Sequence, residues 1–306
     1  MLTRKHYVAY ITVCLIWGST WAAIRLLVRD VPPLRSAALR FFLAALILLG
    51  IAFSRKRKLP DRPQWSALII LGFAMVAVPY GLLFWAESRI SSAMTAVLFS
   101  SSPLFVALFM PAMTGARVPR RALLGMLIGA GGIGALFYDG LSASAYFLLG
   151  GGAVVLAVMV SAWASVFAKR EISRVHPLVG AGIQFAVSAV VLFAASVMLE
   201  HGRRSEWGQA SILALGFLVV FGSVLAFSLY YWLLAQINPY QLATITLVTP
   251  VVAMAEGALL LEEPVPLLMV GAAALVLVSV WAVLGAEDDG PLALELNPRR
   301  GEIQER

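Results

Sequence analysis

Apolar residues run along this chain in long, nearly uncharged stretches separated by short polar connections. Ten stand out: Tyr7 to Leu27, Leu34 to Phe53, Trp65 to Ala86, Ser91 to Met113, Arg121 to Phe137, Tyr146 to Ala168, Pro177 to Leu199, Gln209 to Ala235, Pro239 to Leu261 and Leu267 to Ala286. About 20 apolar residues in a helix cross a hydrocarbon core of about 30 Å. None of the ten shows the alternating segments of about 10 residues that a membrane β-barrel requires. The pattern therefore predicts an all-α polytopic membrane protein with ten transmembrane helices.

A second pattern lies above the first. The segment ISSAMTAVLFSSSP, Ile90 to Pro103, has the shape of INPYQLATITLVTP, Ile237 to Pro250. One offset carries Ile90 onto Ile237, Ala96 onto Ala243, Pro103 onto Pro250, Trp85 onto Trp232 and Val118-Pro119 onto Val265-Pro266. Slightly shorter offsets carry Pro33-Leu34 and Arg40-Phe41 onto Pro177-Leu178 and Gln184-Phe185, and Trp17-x-Ser19 onto Trp163-x-Ser165. This reads as duplication, with repeats at residues 1–142 and 143–286 and a charged tail, 287–306, expected to be disordered. Five helices per half is an odd number, so the second half starts on the other side of the membrane and the repeat is inverted. Inverted five-helix repeats around a central cavity are a transporter plan, with the solute near the midplane.

Pro103 and Pro250 fall at mid-helix, where each removes a donor and frees the carbonyl of Phe99 or Thr246. In lipid such carbonyls need hydroxyls or cavity water. Ser100, Ser101 and Ser102 flank one proline, and Thr244, Thr246 and Thr249 flank the other, so both helices are expected to face a polar cavity.

Composition and charge sharpen this. The 306 residues are 61% hydrophobic and 13% charged, against roughly 25% charged in soluble domains. With the N-terminus cytoplasmic, sixteen Lys and Arg fall on the inner side: Arg4, Lys5, Arg55 to Lys58, Arg62, Arg117, Arg120, Arg121, Lys169, Arg170, Arg174, Arg299, Arg300 and Arg306. Five fall outside: Arg29, Arg35, Arg89, Arg203 and Arg204. The asymmetry predicts both termini in the cytoplasm of a bacterial inner membrane protein. The net charge of +7 is then topology and anionic-lipid contact, not a nucleic-acid surface. The opening MLTRKH and its apolar run read as the first span rather than a cleaved leader. Cys14 is the only cysteine and cannot form a disulfide within one chain.

Four charged residues within or at the ends of spans are candidates for gating or coupling: Arg25, Arg40, Glu87 and Glu256, all in the outer half on this topology. A charge at a helix centre costs about 2.5–3.5 kcal/mol on insertion scales, so each calls for a reason. An outer gate would pair Glu256 or Glu87 with Arg40 or Arg25; snorkelling to headgroups is the alternative for Arg25 and Glu87. Glu256 is the proton-coupling candidate, since a carboxyl in apolar surroundings can exchange its proton near neutral pH and a guanidinium cannot. Trp17, Ser19, Trp21, Tyr80, Ser101, Pro103, Trp163, Tyr230, Thr246, Thr249 and Pro250 are expected to line the cavity, where aromatics and hydroxyls hold an amphipathic solute. Trp85, Tyr231 and Trp232 lie near helix ends and could equally anchor at the interface.

Three stretches, WGSTWAAIRLLVRDVPPLRSAALRFFLAALIL, the proline-bearing fourth and ninth helices, and TPVVAMAEGALLLEEP, together resemble the EamA-like branch of the drug/metabolite transporter superfamily over Tyr7 to Leu284. The resemblance implies ten helices in two inverted repeats, cytoplasmic termini and a cavity lined by helices 1, 3, 4, 6, 8 and 9. It also implies export, more often than uptake, of small metabolites such as amino acids or toxic analogues. Gly115-Ala116-Arg117 departs from the Gly-Glu-Arg common in the family, whereas Glu263 keeps the acid in the second half.

Other classes find less support. His6, His176 and His201 are scattered, so no metal site is expected, and no GxxxxGK[ST] loop for a nucleotide occurs. No cofactor is implied; the partners expected are a small-molecule solute, the lipid bilayer and protons. An intramembrane enzyme would want HExxH or a paired nucleophile, and Asp139 in Tyr138-Asp139-Gly140 lacks the context of a protease aspartate. A sensor or scaffold would want a soluble output module.

Overall fold

The computed structural model describes residues 3–90, 92–115, 118–136, 145–172, 175–260 and 267–284. Among these, helix follows every apolar run and no strand occurs. The elements are α1 (Arg4–Asp30), α2 (Pro33–Ser54), α3 (Arg62–Glu87), α4 (Ser92–Phe99), α5 (Ser102–Thr114), α6 (Arg120–Leu136), α7 (Ala145–Ile172), α8 (Pro177–Leu199), α9 (Gln209–Leu234), α10 (Pro239–Ala243), α11 (Ile245–Leu260) and α12 (Leu267–Leu284). Six described helices, α1, α2, α3, α8, α9 and most of α7, are long and apolar enough to cross a membrane; α5 and the helical run from Pro239 are shorter apolar helices. Ala116-Arg117, Tyr138-Asp139-Gly140, Glu262 to Pro266 and the tail lie outside the described residues.

Local chemistry sets the helix starts. Reciprocal side-chain to backbone bonds join Thr3 to His6, Asp61 to Gln64 and Asn238 to Gln241, satisfying donors that the first turn leaves free. Prolines at the first turns of α2, α8 and α10 lack only a donor that would be idle there. At the start of α8 the Leu178 N–H donates to His176 Nδ1 (3.3 Å); partial burial, with Arg57 and Arg55 nearby, pushes this imidazole below its ordinary pKa and favours the neutral acceptor. The start of α2 is capped from another helix. Glu200, just past the end of α8, accepts the Leu34 and Arg35 N–H groups (2.8 and 3.0 Å) and the Ser196 hydroxyl (2.7 Å).

Runs four and nine differ from the expectation of continuous helices kinked at proline. Helix stops at Phe99 and restarts at Ser102, so Pro103 sits in the first turn of α5, a position where proline is tolerated. The second break falls at Thr244, ahead of Pro250, which lies within α11. There the Thr249 hydroxyl donates to the Thr246 carbonyl (3.2 Å), the acceptor that Pro250 leaves idle.

Two long contacts flank the bundle: α2 against α8 and α6 against α12. Between them α1 packs on α9 and α11, and α7 packs on α3 and α5. The α2–α8 seam is lined by Ala37, Ala44, Ala45 and Gly182, with Phe41 and Phe185 rings 5.0 Å apart. In lipid the gain comes from close van der Waals packing rather than from leaving water, so small residues sit where helices meet. Large apolar side chains face outward instead, among them Leu46, Phe53, Val190 and Met198, the last 80% exposed.

Both α3 and α9 carry a π-helical turn, Gly72–Ala77 and Val220–Leu225. Their C-terminal ends meet opposite ends of α1. His6, at the start of α1, stacks on Trp232 (5.2 Å) and hydrogen-bonds Gln236 (3.0 Å), whereas Arg25 reaches the carbonyls of Glu87 and Ile90. From position 6 to position 25 at ~1.5 Å per residue is about 28 Å, nearly the thickness of the hydrocarbon core.

Candidate functional site

A cavity of about 70 Å³ lies among α1, α3, α4, α5, α7, α9, α10 and α11. Its wall comprises Trp17, Thr20, Trp21, Ile24, Met75, Tyr80, Leu83, Phe99, Ser102, Ser161, Ser165, Phe227, Tyr230, Leu242, Ala243, Thr246 and Thr249. This volume holds a few waters and is well below the ~300–1,000 Å³ of sites that enclose a drug-sized ligand. The described conformation is therefore contracted. No ionisable side chain other than tyrosine lines it among the described residues; it is a ring of aromatics with hydroxyls set between them.

The rings hold one another. Trp17 meets Phe227 edge-on and Tyr230 at a tilt, both at 5.3 Å, and Trp21 meets Phe99 at 5.8 Å. Phe227 also contacts Tyr80 (6.0 Å) and, behind the wall, Phe185 (4.9 Å). The Trp17 indole N–H donates to the Gly222 carbonyl (3.3 Å), in the π turn of α9, while the buried Trp21 indole N–H has no partner among the described residues. The Thr20, Ser165, Thr246 and Thr249 hydroxyls each bond a carbonyl one turn back, which leaves their oxygen lone pairs as acceptors.

Of the residues expected at the cavity, Trp17, Trp21, Tyr80, Tyr230, Thr246 and Thr249 line it. Ser19, Ser101, Pro103, Trp163 and Pro250 do not, and helical rotation explains most of this. On α1 the lining positions 17, 20, 21 and 24 follow the helical stripe; Ser19 falls on another face and donates to the Leu15 carbonyl (2.9 Å). On α7 the stripe is Ser161 and Ser165, so Trp163 turns away and stacks on Phe167 (5.2 Å). Ser101 lies in the break, bonded to the Leu98 carbonyl (2.7 Å), and Ser102 takes the wall position. Pro103 and Pro250 are buried just behind Ser102 and Thr249.

The wall positions fall into pairs along the chain. Tyr80 and Phe227, Leu83 and Tyr230, Phe99 and Thr246, and Ser102 and Thr249 are each 147 residues apart, and Trp17 and Ser161, and Trp21 and Ser165, are 144 apart. The 144 register of α1 and α7 also joins Arg25 to Lys169. It replaces the Trp17 to Trp163 echo, which is off by two positions. Arg25 on α1 donates to the carbonyls of Glu87 and Ile90 (3.4 Å for the latter). Lys169 on α7 donates to those of Leu234 (2.7 Å) and Ile237 (3.0 Å), each 147 residues beyond. One cation thus clamps the C-terminal end of α3 and its counterpart clamps that of α9. These carbonyls lack intrahelical donors, and a cation at a helix C-terminus is favourable.

Arg25 and Arg40 therefore do not form the carboxylate pairs anticipated for a gate. Arg40, 1% exposed, donates through Nε to the Ser223 hydroxyl (2.8 Å) and through Nη2 to the Gly222 carbonyl (3.1 Å). Its guanidinium lies 5.0 Å from the centre of the Tyr80 ring and 5.1 Å from that of Phe41. A π turn shifts the helical bonding pattern and offers its carbonyls to outside donors, which gives one edge of this cation its partners without burying a second charge. Glu87 is fully buried at the end of α3. Glu256 belongs to α11, and its side chain lies outside the described residues.

A polytopic helical bundle that encloses a small aromatic and hydroxyl-lined cavity has the form of a membrane solute carrier. The comparisons give the family. The family model of the EamA-like transporters matches residues 4–138 and again residues 148–285. The chain belongs to the EamA-like transporter family. It is 32% identical over 254 residues to the uncharacterized inner membrane transporter YedA of Escherichia coli (81% of this chain, 80% of the relative). It is 26% identical over 281 residues to the uncharacterized transporter YoaV of Bacillus subtilis (90% and 96%), and 24% identical to the protein PagO of Salmonella typhimurium (81% and 82%). A solved crystal structure shares the fold, with a TM-score of 0.75 at 20% identity over 92% of this chain and 96% of its own.

Proposed function

We propose that this protein is a secondary active transporter of the inner membrane, built as two inverted five-helix repeats (residues 1–142 and 143–286), that exports a small metabolite by alternating access. The observation that carries the reading is the pairing of wall positions: six pairs at near-constant offsets, one member from each half, converge on one cavity. The twofold match of the family model and the two cation clamps at opposite ends of α1 support it further. In this reading the contracted cavity belongs to a closed state, the Lys169 clamp seals the cytoplasmic end and the Arg25 clamp the outer end. Release of one clamp at a time opens the cavity to one side. The name of the relative YedA supports the inner membrane, and the excess of Lys and Arg in the segments assigned inside supports cytoplasmic termini. Proton coupling would run through Glu256.

The test is flux in proteoliposomes, using labelled amino acids, nucleosides, sugars and cationic drugs, each with and without an imposed proton gradient. Counterflow of at least one class is expected, accelerated by the gradient. Flux of none, beside an active control carrier, would refute the reading; transport insensitive to the gradient would leave the carrier and remove the coupling.

A further inference from the structure

We infer that Arg40 anchors an anionic group, a carboxylate, of the solute that enters the central cavity. The inference rests on reading that cavity as the transport site, and it adds the chemical class of its occupant.

The guanidinium has two edges that can take a planar anion through two parallel N–H groups. The Nε/Nη2 edge is occupied by Ser223 and the Gly222 carbonyl. The Nη1/Nη2 edge is the other, and Nη1 is buried with no hydrogen-bond partner among the described residues. No described carboxylate lies in ion-pair range of this cation, and the ion pair found among the described residues is the exposed Arg170 with Glu171. A permanent charge held in a membrane bundle without a counter-ion marks a solute or ion path, and the fork of arginine matches a carboxylate.

The charge also lies against the cavity wall. Tyr80 lines the cavity and touches the guanidinium, and the Gly222 carbonyl accepts both from Arg40 and from the cavity residue Trp17. A Cβ added at Gly222 would lie 2.9 Å from the Thr20 side chain and 3.3 Å from Arg40 Nη2, so only glycine lets α1, α2 and α9 close here. For a solute to reach the free edge, Tyr80 has to swing aside.

The position that matches Arg40 in the other half carries no charge. Gln184, 144 residues on, packs on the π turn of α3, where a Cβ on Gly72 would come within 3.0 Å of the Gln184 carbonyl oxygen. Gln184 accepts from the Tyr231 hydroxyl and donates to the Gly180 carbonyl (3.1 Å). A neutral side chain, bonded at both its oxygen and its nitrogen, therefore serves the matching place. An independent feature agrees in sign: Arg29, Arg89, Arg203 and Arg204, four of the arginines assigned to the outer side, line a single recess with one acid, Asp30. Such a recess concentrates anions at its mouth.

The experiment compares binding of 3-phenylpropionate, its amide, phenylalanine and 2-phenylethylamine to the purified full chain and to Arg40→Gln and Arg40→Lys, alongside flux of the same four in proteoliposomes. Wild type should bind the two carboxylates about tenfold or more tightly than the amide and the amine, the scale of a lost charge-assisted pair. Arg40→Gln should abolish that preference while keeping the thermal midpoint, and Arg40→Lys, which keeps charge and loses the fork, should fall between. Equal binding of amide and carboxylate, an unchanged preference in both variants, or no carboxylate binding at millimolar concentration would overturn the anchor. Flux of 3-phenylpropionate or phenylalanine that Arg40→Gln leaves intact would overturn the anchor and leave the transporter standing. Arg40-dependent binding without flux would do the reverse.

Discussion

The two cation clamps make the most direct prediction. Lys169 donates to two carbonyls at the end of α9 and Arg25 to two at the end of α3. A hydrogen bond from a charged group contributes a net ~1.5–3 kcal/mol, and both side chains are part-exposed, so the lower figure applies to each clamp as a whole. About 1.5 kcal/mol is slightly more than tenfold in a population ratio. With a single reporter cysteine at Thr246→Cys in a Cys14→Ala background, a membrane-impermeant thiol reagent reads access to the cavity from each side in oriented vesicles. Lys169→Met should raise labelling from the cytoplasmic side about tenfold and leave the outer rate nearly unchanged. Arg25→Met should do the opposite, and the double variant should raise both while restoring their ratio. If both single variants raised labelling from the same side, or neither changed it, the clamps would be ordinary helix caps and the inverted reading would lose their support.

Three further outcomes follow from packing and charge. A Cβ at Gly18 would sit 2.5 Å from Val252 Cβ and 3.3 Å from the Thr249 carbonyl oxygen, so Gly18→Ala should cost about 1–3 kcal/mol of overpacking against ~1 kcal/mol of helix propensity gained; a lowered thermal midpoint, restored by Val252→Ala, checks it. Glu200→Ala uncaps α2 and should cost about 1–2 kcal/mol, whereas Glu200→Gln, which keeps an acceptor, should cost less; equal midpoints for all three proteins would contradict the capping role. Glu256→Gln should flatten the pH dependence of flux between about pH 5 and 8 with expression unchanged, and an unaltered profile would remove Glu256 from coupling.

The helices were legible because the bilayer demands about 20 apolar residues per crossing: helix follows each run to within a few residues, and six of the described helices are long and apolar enough to cross. The breaks were legible only in part. Pro103 and Pro250 pointed to the right helices, but the chain interrupts at Ser100-Ser101 and at Thr244: the first break puts Pro103 in a first turn, where proline costs little, while Pro250 stays inside α11. The cavity was half legible. Aromatic and hydroxyl types were the right classes, yet choosing them by identity admitted Ser19 and Trp163, which lie off the stripe, and passed over Thr20, Phe99, Ser161, Ser165 and Phe227. Projecting α1 from Trp17 with helical spacing gives Thr20, Trp21 and Ile24, and the offset shared by Pro33 with Pro177 carries Trp17 and Trp21 onto Ser161 and Ser165. The Arg25 and Lys169 clamps were hidden because their acceptors are backbone carbonyls, which carry no signature in sequence. The two π turns were hidden for a similar reason: nothing in GFAMVA or VFGSVL favours one over an α turn, and only packing against Gln184 and Arg40 gives them a role.

The paired wall positions also bear on why one scaffold suits a directional task. The side chains at paired positions differ in kind: Trp17 and Trp21 match Ser161 and Ser165 across the offset, Phe99 matches Thr246, Leu83 matches Tyr230, and Arg40 matches Gln184. On the proposed inverted repeat, equal side chains in both halves would give a solute two equivalent poses, related by a symmetry that exchanges inside and outside. Unequal ones remove that degeneracy: both tryptophans and Arg40 come from the first half, while four of the six lining Ser and Thr hydroxyls come from the second. An amphipathic carboxylate then has one favoured orientation in the closed state. With the proposed anchor its polar end would lie toward Arg40 and Tyr80, on the α2 and α9 side of the cavity, and its body against Trp17 and Phe227. In the proposed cycle either clamp would be released around a solute held this way without turning it over, the two proposed repeats supplying the two exits and their unequal side chains the selectivity.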